Sequence, residues 1–455
     1  MAKVLLVRPK SRIPITNFPL GLMYLAAYLE KEGHSAEIID LRFPGSPSTV
    51  VTQRALDTRP DIVGIGAMTT EDRGLRDVLR QISALPYKPT VAVGGPHVNA
   101  YSREIMGYNG VDCAVFHEGE QIISEIAQGR GLDEIRGTAY RRNGGYAVNP
   151  ERDFIANLDT LPYPAYHLLN VERYFKNPFV HGFALARNRH AQIMSSRGCP
   201  YGCIFCHNIF GKRFRARSPE NVFGEIKLIY ERYRVREIHF EDDSFNLDRK
   251  RAEKIFDLII QSGFDLKISF PNGLRADILD REMIQKMKRA GVYQVSVGIE
   301  SADTEIQKKT GKGIDLDKVT SAVNELASHG ILTDGFFMLG FLNESRSQMM
   351  RTIRFARNSP LHLATIHKVN PFPQTPLGRQ AEEKGFSVQI DDVGEDGYRF
   401  GKVNISALSQ AELDKMQKMA YLCFYTKLSR LWKIFRLVPN KMTLFSHFLR
   451  LIFWR

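Results

Sequence analysis

Cys199, Cys203 and Cys206 fall within eight residues of one another in Ser196-Arg-Gly-Cys199-Pro-Tyr-Gly-Cys203-Ile-Phe-Cys206-His, a tight glycine-bearing loop just after an expected strand. Three thiolates can hold three irons of a cubane and leave the fourth iron open, since a fully ligated cluster takes four cysteines. An open iron invites a substrate or cofactor. The competing reading is zinc, but structural zinc wants four closed ligands and usually paired Cys-x2-Cys units. His207 could supply a fourth ligand, yet its adjacency to Cys206 strains simultaneous coordination. The other two of the five cysteines, Cys113 and Cys423, stand alone in apolar surroundings and read as buried core thiols. The pattern is no disulfide framework and offers no second cluster.

Carboxylates gather where expected strands end. In Phe240-Glu241-Asp242-Asp243-Ser-Phe the acids suit a cationic amine and a cluster-bound ligand, with a solvated helix start capped by Asp243 as the structural alternative. Glu300, in Ser296-Val-Gly-Ile-Glu300-Ser301, closes an apolar strand. A buried unpaired carboxylate is costly there, which favours a functional role. Gly335–Gly340 and Pro371–Pro376 are weaker candidates for the same pocket, because glycine and proline also merely shape turns.

Two alternating stretches must position these groups. The first 130 residues alternate β-rich runs near Val4–Val7, Glu37–Leu41, Asp61–Ala67, Thr90–Val93 and Cys113–Phe116 with helical patterns such as Leu20–Lys31. Such alternation predicts a parallel sheet covered on both faces, an α/β doubly wound (Rossmann-like) domain. Thr69-Thr70, Gly94-Gly95-Pro96-His97 and Glu118-Gly119-Glu120 follow its strands, and ligands of open α/β sheets bind beyond the carboxyl ends of strands. After a proline-rich link around residues 157–170, strands are expected near Ala191–Ser196, Glu237–Phe240, Lys267–Phe270, Tyr293–Ile299, Thr333–Leu339 and Thr365–Val369. Helical patterns at Glu220–Tyr233, Lys250–Gln261 and Ser345–Arg357 separate them. Six strand–helix units give a partial (β/α)6 barrel whose reactive face is the carboxyl ends of its strands. The expected units are thus a Rossmann-like domain over 1–150, a linker over 151–185, the barrel over 186–375 and a C-terminal region with basic amphipathic helices over 376–455.

The C-x3-C-x2-C spacing, with an aromatic before the last cysteine, resembles the radical S-adenosylmethionine superfamily. The resemblance implies a 4Fe–4S cluster on Cys199, Cys203 and Cys206, S-adenosylmethionine bound by its amino and carboxylate groups to the open iron, and reductive cleavage to methionine and a 5′-deoxyadenosyl radical. It makes Phe205 an adenine neighbour, places Glu241, Asp242 and Asp243 by the methionine amino group, and makes Glu300 and Ser301 part of a ribose-contacting segment. The family's commoner motif at residues 240–245 is glycine-rich, so the individual roles of those acids stay open. It also implies an external reductant such as flavodoxin or ferredoxin. Residues 1–150, with Pro19-Leu-Gly-Leu22, Val93-Gly-Gly-Pro-His97 and His117-Glu-Gly-Glu120, look like the cobalamin-binding domain that precedes the barrel in one branch, with Thr69, Thr70, Gly94, Gly95, Glu118 and Gly119 on the ligand side. The motif Asp-x-His-x-x-Gly, which gives cobalt a histidine elsewhere, is absent, and His97 is not taken as a cobalt ligand. The leading implied reaction is methylation of an unactivated carbon. Radical rearrangement, cyclisation or oxidation without methyl transfer is the alternative.

Composition narrows the remaining classes. Of 455 residues 43% are hydrophobic and 25% charged, which is ordinary globular chemistry. The start is too short an apolar run for a signal peptide, no run reaches the ~18 apolar residues of a membrane span, and a cytoplasmic protein is expected. The net charge of +13 is concentrated at the end: after Asp414 there is no acid, while Lys415, Lys418, Lys427, Arg430, Lys433, Arg436, Lys441, Arg450 and Arg455 are basic. Leu428, Leu431, Trp432, Ile434, Phe435, Leu437, Phe445, Phe448, Leu449, Leu451, Ile452, Phe453 and Trp454 interleave with them, and Pro439 divides two helical patterns. Basic aromatic helices of this kind lie in a membrane interface, which would suit a small, lipid-like substrate; a helical cap packed on the barrel is the alternative. An RNA-modifying relative would carry a second cysteine trio in the front domain, and none is present, so nucleic acid is not the expected partner. A noncatalytic iron–sulfur or zinc protein is the remaining option.

Overall fold

The computed structural model describes residues 1–439, except 14, 178–181, 183–184, 208, 387 and 391–400. The tail residues Lys441, Phe445, Phe448, Leu449, Arg450, Leu451, Ile452, Phe453, Trp454 and Arg455 therefore lie outside the described residues.

The first sheet contains β1 (Lys3–Arg8), β2 (Ser35–Asp40), β3 (Ile62–Gly66), β4 (Thr90–Gly94), β5 (Cys113–Val115), β6 (Thr138–Arg142) and β7 (Gly145–Val148). Their order is β2-β1-β3-β4-β5-β6-β7. The first five are parallel, and β6 and β7 are added antiparallel at one edge. Val4, Leu5, Leu6 and Val7 are all buried, as a strand covered on both faces requires. The chain leaves β1 toward β2 and returns to the other side at β3, so the topological switch lies between the carboxyl ends of β1 and β3. That is where a doubly wound sheet of this order binds its ligand.

The second sheet is parallel and runs β8 (His190–Ile193), β11 (Glu237–Phe240), β12 (Lys267–Leu274), β13 (Val292–Glu300), β14 (Leu332–Leu339) and β15 (Leu363–Lys368). Each strand neighbours the next in sequence, the winding of a barrel left open between its first and last strands. Apolar residues at helical spacing dock the outer helices: Ile226 and Ile229 from Pro219–Arg232, and Ile255 and Ile259 from Arg249–Ser262, share one core with Ile238, Ile268 and Phe270. β8 ends at Ile193, earlier than the expected strand through Ser196. Ser196–Arg197 (β9) instead pairs antiparallel with Arg215–Ala216 (β10), so the cysteine loop is the tip of a hairpin.

The edge of β15 is covered by the helix Gln410–Tyr425. Tyr421 and Tyr425 hydroxyls accept from the Ile366 and Ala364 amides at 3.0 and 3.2 Å, satisfying donors that an open edge would leave free. The following helix, Leu428–Leu437, buries Ile434 and Arg430. Arg430 donates to the Leu361, Ser359 and Arg357 carbonyls at 3.0, 2.9 and 2.9 Å, so it is a packing residue rather than one of the expected interfacial cations. Among the described residues no helix is long and apolar enough to cross a membrane.

Candidate active site

The β9–β10 hairpin carries Cys199, Cys203 and Cys206 at the carboxyl end of the barrel's first strand. Gly198 begins the loop at φ +84°, and a Cβ there would meet the Arg213 carbonyl oxygen at 2.3 Å. Glycine is therefore required both by conformation and by space. Two later elements hold the loop from the far side. The Ile204 amide donates to the Thr310 carbonyl and the Leu377 amide to the Ile204 carbonyl, each at 2.9 Å. At Gly311, φ +68°, a Cβ would meet the Gly202 carbonyl oxygen at 2.6 Å. The Arg275 guanidinium lies 3.9 Å over the Tyr201 ring and donates to the Lys312 and Gly313 carbonyls, each at 3.0 Å.

Cys199 and Cys203 are half-buried and Cys206 is exposed at the rim. Desolvation raises the Cys203 thiol, opposed by the Lys312 charge. Desolvation of its sulfur, with the charges of Cys203, Asp243 and Cys199, raises the Cys206 thiol. Three thiolates on one loop need compensating positive charge, which ligated iron would provide. Three cysteine thiols on one loop, with no fourth cysteine near them in the sequence, are the donors of a cubane with one open iron, so the residues present fit the cluster.

The acids of 241–243 divide. Asp242 is buried; one carboxylate oxygen accepts from the Ser195 hydroxyl at 2.6 Å and from the Ser196 hydroxyl, and the other from the Ser195 amide at 3.2 Å. It braces the stem of the cysteine hairpin. Asp243 accepts from the Gly198 amide at 3.3 Å, and its carboxyl is raised by desolvation and by the Asp242 charge. Glu241 directly follows β11, its amide donating to the Ile193 carbonyl at 2.9 Å.

Glu300 ends β13 with φ +64°, at a register shift against β14. Its carboxylate accepts from the Lys312 ammonium at 2.6 Å. A Cβ on Gly298 would meet the Lys312 nitrogen at 2.2 Å, so the ion pair lies directly over the strand. Ser301 is fully buried, bonded to the Thr352 hydroxyl at 3.1 Å and to the Asp303 amide at 3.2 Å, and holds the turn after β13. Phe205 is half-buried, 5.9 Å from the Phe341 ring, in a cluster that includes Leu377 and Val369. Sequence reasoning missed Lys312 and Arg275. The only local signal was Gly311-Lys312-Gly313, a pair of glycines at positive φ flanking a lysine.

In the first domain Thr69 and Thr70 start a short turn after β3, at the switch point, where the Ser11 hydroxyl donates to the Thr70 carbonyl at 3.1 Å and Met68 is 49% exposed. Gly95, φ +94°, allows the next loop to pass against Ala67, whose oxygen would lie 2.7 Å from a Cβ. Gly119 caps the helix Glu120–Ala127. The Glu118 carboxylate accepts from Arg197 and Arg215 at 2.8 Å each. His97 is fully buried, its Nε2 2.9 Å from Asp72. The loops after β1, β3 and β4 offer a corrinoid no histidine other than His97, which is engaged with Asp72, so the residues present fit a corrinoid with no histidine ligand from these loops. A corrinoid bound to the full chain is expected to show a base-off absorption spectrum, and a base-on spectrum would contradict this placement.

An open parallel barrel sheet with a three-thiol loop on its first strand, behind a doubly wound domain, defines a radical S-adenosylmethionine protein. The model of the Radical SAM superfamily matches residues 193–356, and that of the B12 binding domain matches residues 12–127. The chain is 31% identical over 446 residues to an uncharacterized methyltransferase of Pyrococcus horikoshii, covering 93% of each chain. It is 25% identical to the cytidylyl-2-hydroxyethylphosphonate methyltransferase of Streptomyces wedmorensis, covering 90% of this chain and 87% of that one. Its fold matches that of a radical S-adenosylmethionine methyltransferase of Kitasatospora setae, solved with cobalamin and a 4Fe–4S cluster, at a TM-score of 0.72 and 20% identity over 84% of this chain and 75% of that one. The chain belongs to the cobalamin-dependent radical S-adenosylmethionine methyltransferase family.

Proposed function

We propose that Cys199, Cys203 and Cys206 hold a 4Fe–4S cluster, that S-adenosylmethionine binds over its open iron, and that residues 1–150 hold cobalamin for methylation of an unactivated carbon. When bound, the cluster supplies the electron for reductive cleavage of S-adenosylmethionine, and the corrinoid carries the methyl group. The chain's own residues bind and orient. Glu241 and Asp243 offer anionic charge to the methionine amine beside the cluster. The Lys312–Glu300 pair places a cation and a carboxylate over β13, suited to the methionine carboxylate and a ribose hydroxyl respectively. Phe205 and Phe341 form an apolar wall for the adenine. The observation that carries this reading is the glycine-started hairpin loop, which presents three thiols at the mouth of the barrel and is pinned by both Thr310 and Leu377. The experiment is incubation of the reconstituted chain with methyl-labelled S-adenosylmethionine, hydroxocobalamin and a flavodoxin-type reductant. Label on the protein-bound corrinoid supports methyl transfer. A chain with an intact cluster that neither binds nor labels corrinoid would leave rearrangement, cyclisation or oxidation as the chemistry.

The same reading takes a lipid-like substrate at a membrane surface. Leu428, Trp432 and Phe435 are 80, 55 and 47% exposed on one helix with exposed Lys427, Lys433 and Arg436, and no acid follows Asp414. At roughly 1 kcal/mol per cation near an anionic leaflet, three cations give weak, reversible binding that buried aromatics strengthen. The intact chain should float with anionic liposomes and truncation after Tyr425 should release it. Unchanged flotation after truncation, or none in the intact chain, removes the case for a lipid substrate.

A further inference from the structure

Arg197 and Arg215 face each other in backbone register across the β9–β10 hairpin. Both side chains reach one carboxylate of the first domain. One Glu118 oxygen accepts from Arg197 and Arg215 at 2.8 Å each, and the other from Arg215 at 3.0 Å and from the Ile155 amide at 2.8 Å. The second Arg197 nitrogen donates to Glu120 at 2.6 Å. All four side chains are 3 to 6% exposed, two cations against two anions, so the group is buried and charge-balanced. Arg215 also donates to the Ile155 and Phe210 carbonyls at 2.7 and 2.9 Å. Beside it His117, at φ +56°, has its Nδ1 2.8 Å from the Ile209 carbonyl, inside the cysteine loop.

These contacts join the loop after β5, at the ligand edge of the first sheet, to the two strands that frame the cysteine loop. Only Gly198 separates Arg197 from Cys199. We infer that Glu118 is a positioning residue: with Glu120 it clasps the hairpin so that the corrinoid edge of the first domain and the cluster loop of the second move as one unit, fixing the separation of the two cofactors. This rests on the two-cofactor reading above, but the clasp itself is a property of the chain. A surface ion pair would be screened and weakly coupled; this buried set, with Arg197 bridging Glu118 and Glu120 and one Arg215 nitrogen shared by both Glu118 oxygens, is shielded from solvent and held in one geometry. It also requires Arg rather than Lys at position 197, because a single ammonium cannot bridge Glu118 and Glu120 as the Arg197 fork does.

The test is hydrogen exchange of the full chain with Glu118→Gln, Arg197→Lys and Glu120→Gln. Glu118→Gln should raise exchange over residues 196–216 by about a hundredfold, the scale of a buried ion pair losing one partner. Arg197→Lys should raise it less and also loosen residues 117–120, and Glu120→Gln should have the smallest effect. In the loaded protein, electron spin measurements between the reduced cluster and cob(II)alamin should show a broadened distance in Glu118→Gln, with iron and corrinoid content unchanged. Unchanged hairpin exchange in any folded Glu118→Gln or Arg197→Lys chain would overturn the clasp, as would loss of corrinoid without a change in hairpin exchange, which would make Glu118 a ligand contact. If the wild type binds no corrinoid, the functional reading fails, while the exchange measurement still decides the clasp.

Discussion

Alanine at Cys199, Cys203 or Cys206 is expected to abolish cleavage of S-adenosylmethionine, because two thiols on one loop cannot hold a cubane whose fourth iron is already without a protein ligand. The readout is 5′-deoxyadenosine formed under reductant, with iron per chain measured on the same preparation. Serine at Cys113 or Cys423 is the control and should leave iron content intact. Cys113 is fully buried in β5, where desolvation pushes its thiol up to about 12 and makes it inert. Its replacement should cost stability, about 1–3 kcal/mol for an unpaired buried hydroxyl, without touching the cluster. Deoxyadenosine production persisting in any of the three alanine variants would remove them as ligands.

Gly198→Ala should be the most damaging change that touches no ligand. The positive φ alone costs an L-residue about 1–2 kcal/mol. The larger penalty is the 2.3 Å approach to a backbone carbonyl that belongs to the same loop and cannot rotate away. The loop must open, which breaks the Cys199 amide bond to the Gly211 carbonyl and displaces the first ligand. Most of the iron should be lost after reconstitution while far-ultraviolet circular dichroism stays that of the wild type. Full iron incorporation would mean that the loop has room the structure does not show.

Much of the fold is written locally. Strands buried on both faces are unbroken apolar runs such as Val4–Val7, and helices such as Leu20–Lys31 carry their pattern within one element. The antiparallel β6–β7 hairpin went unread although Asn143-Gly144, both at positive φ, stands in its turn. That pair is a hairpin signal, but the strands it joins are four and five residues long and half exposed, with little hydrophobic pattern to notice. The cysteines were legible because ligand spacing on one loop is a local property. The charged partners were not. Glu118 meets Arg197 and Arg215 across 79 and 97 residues of sequence, so a strand-end carboxylate that looks like a ligand contact becomes a clasp only once the two sheets are docked. The contacts of Asp242 and Ser301 were not legible for the same reason: their partners, Ser195 with Ser196 and Thr352, lie on other elements.

Metal content and reaction, measured on a single sample, decide whether Cys199, Cys203 and Cys206 hold a working cluster. Wild-type chain reconstituted anaerobically with iron and sulfide, then given S-adenosylmethionine and a reductant, should contain about four irons per chain, the complement of one cubane, and should release 5′-deoxyadenosine and methionine. One zinc per chain, or a full cluster with no 5′-deoxyadenosine, would contradict it.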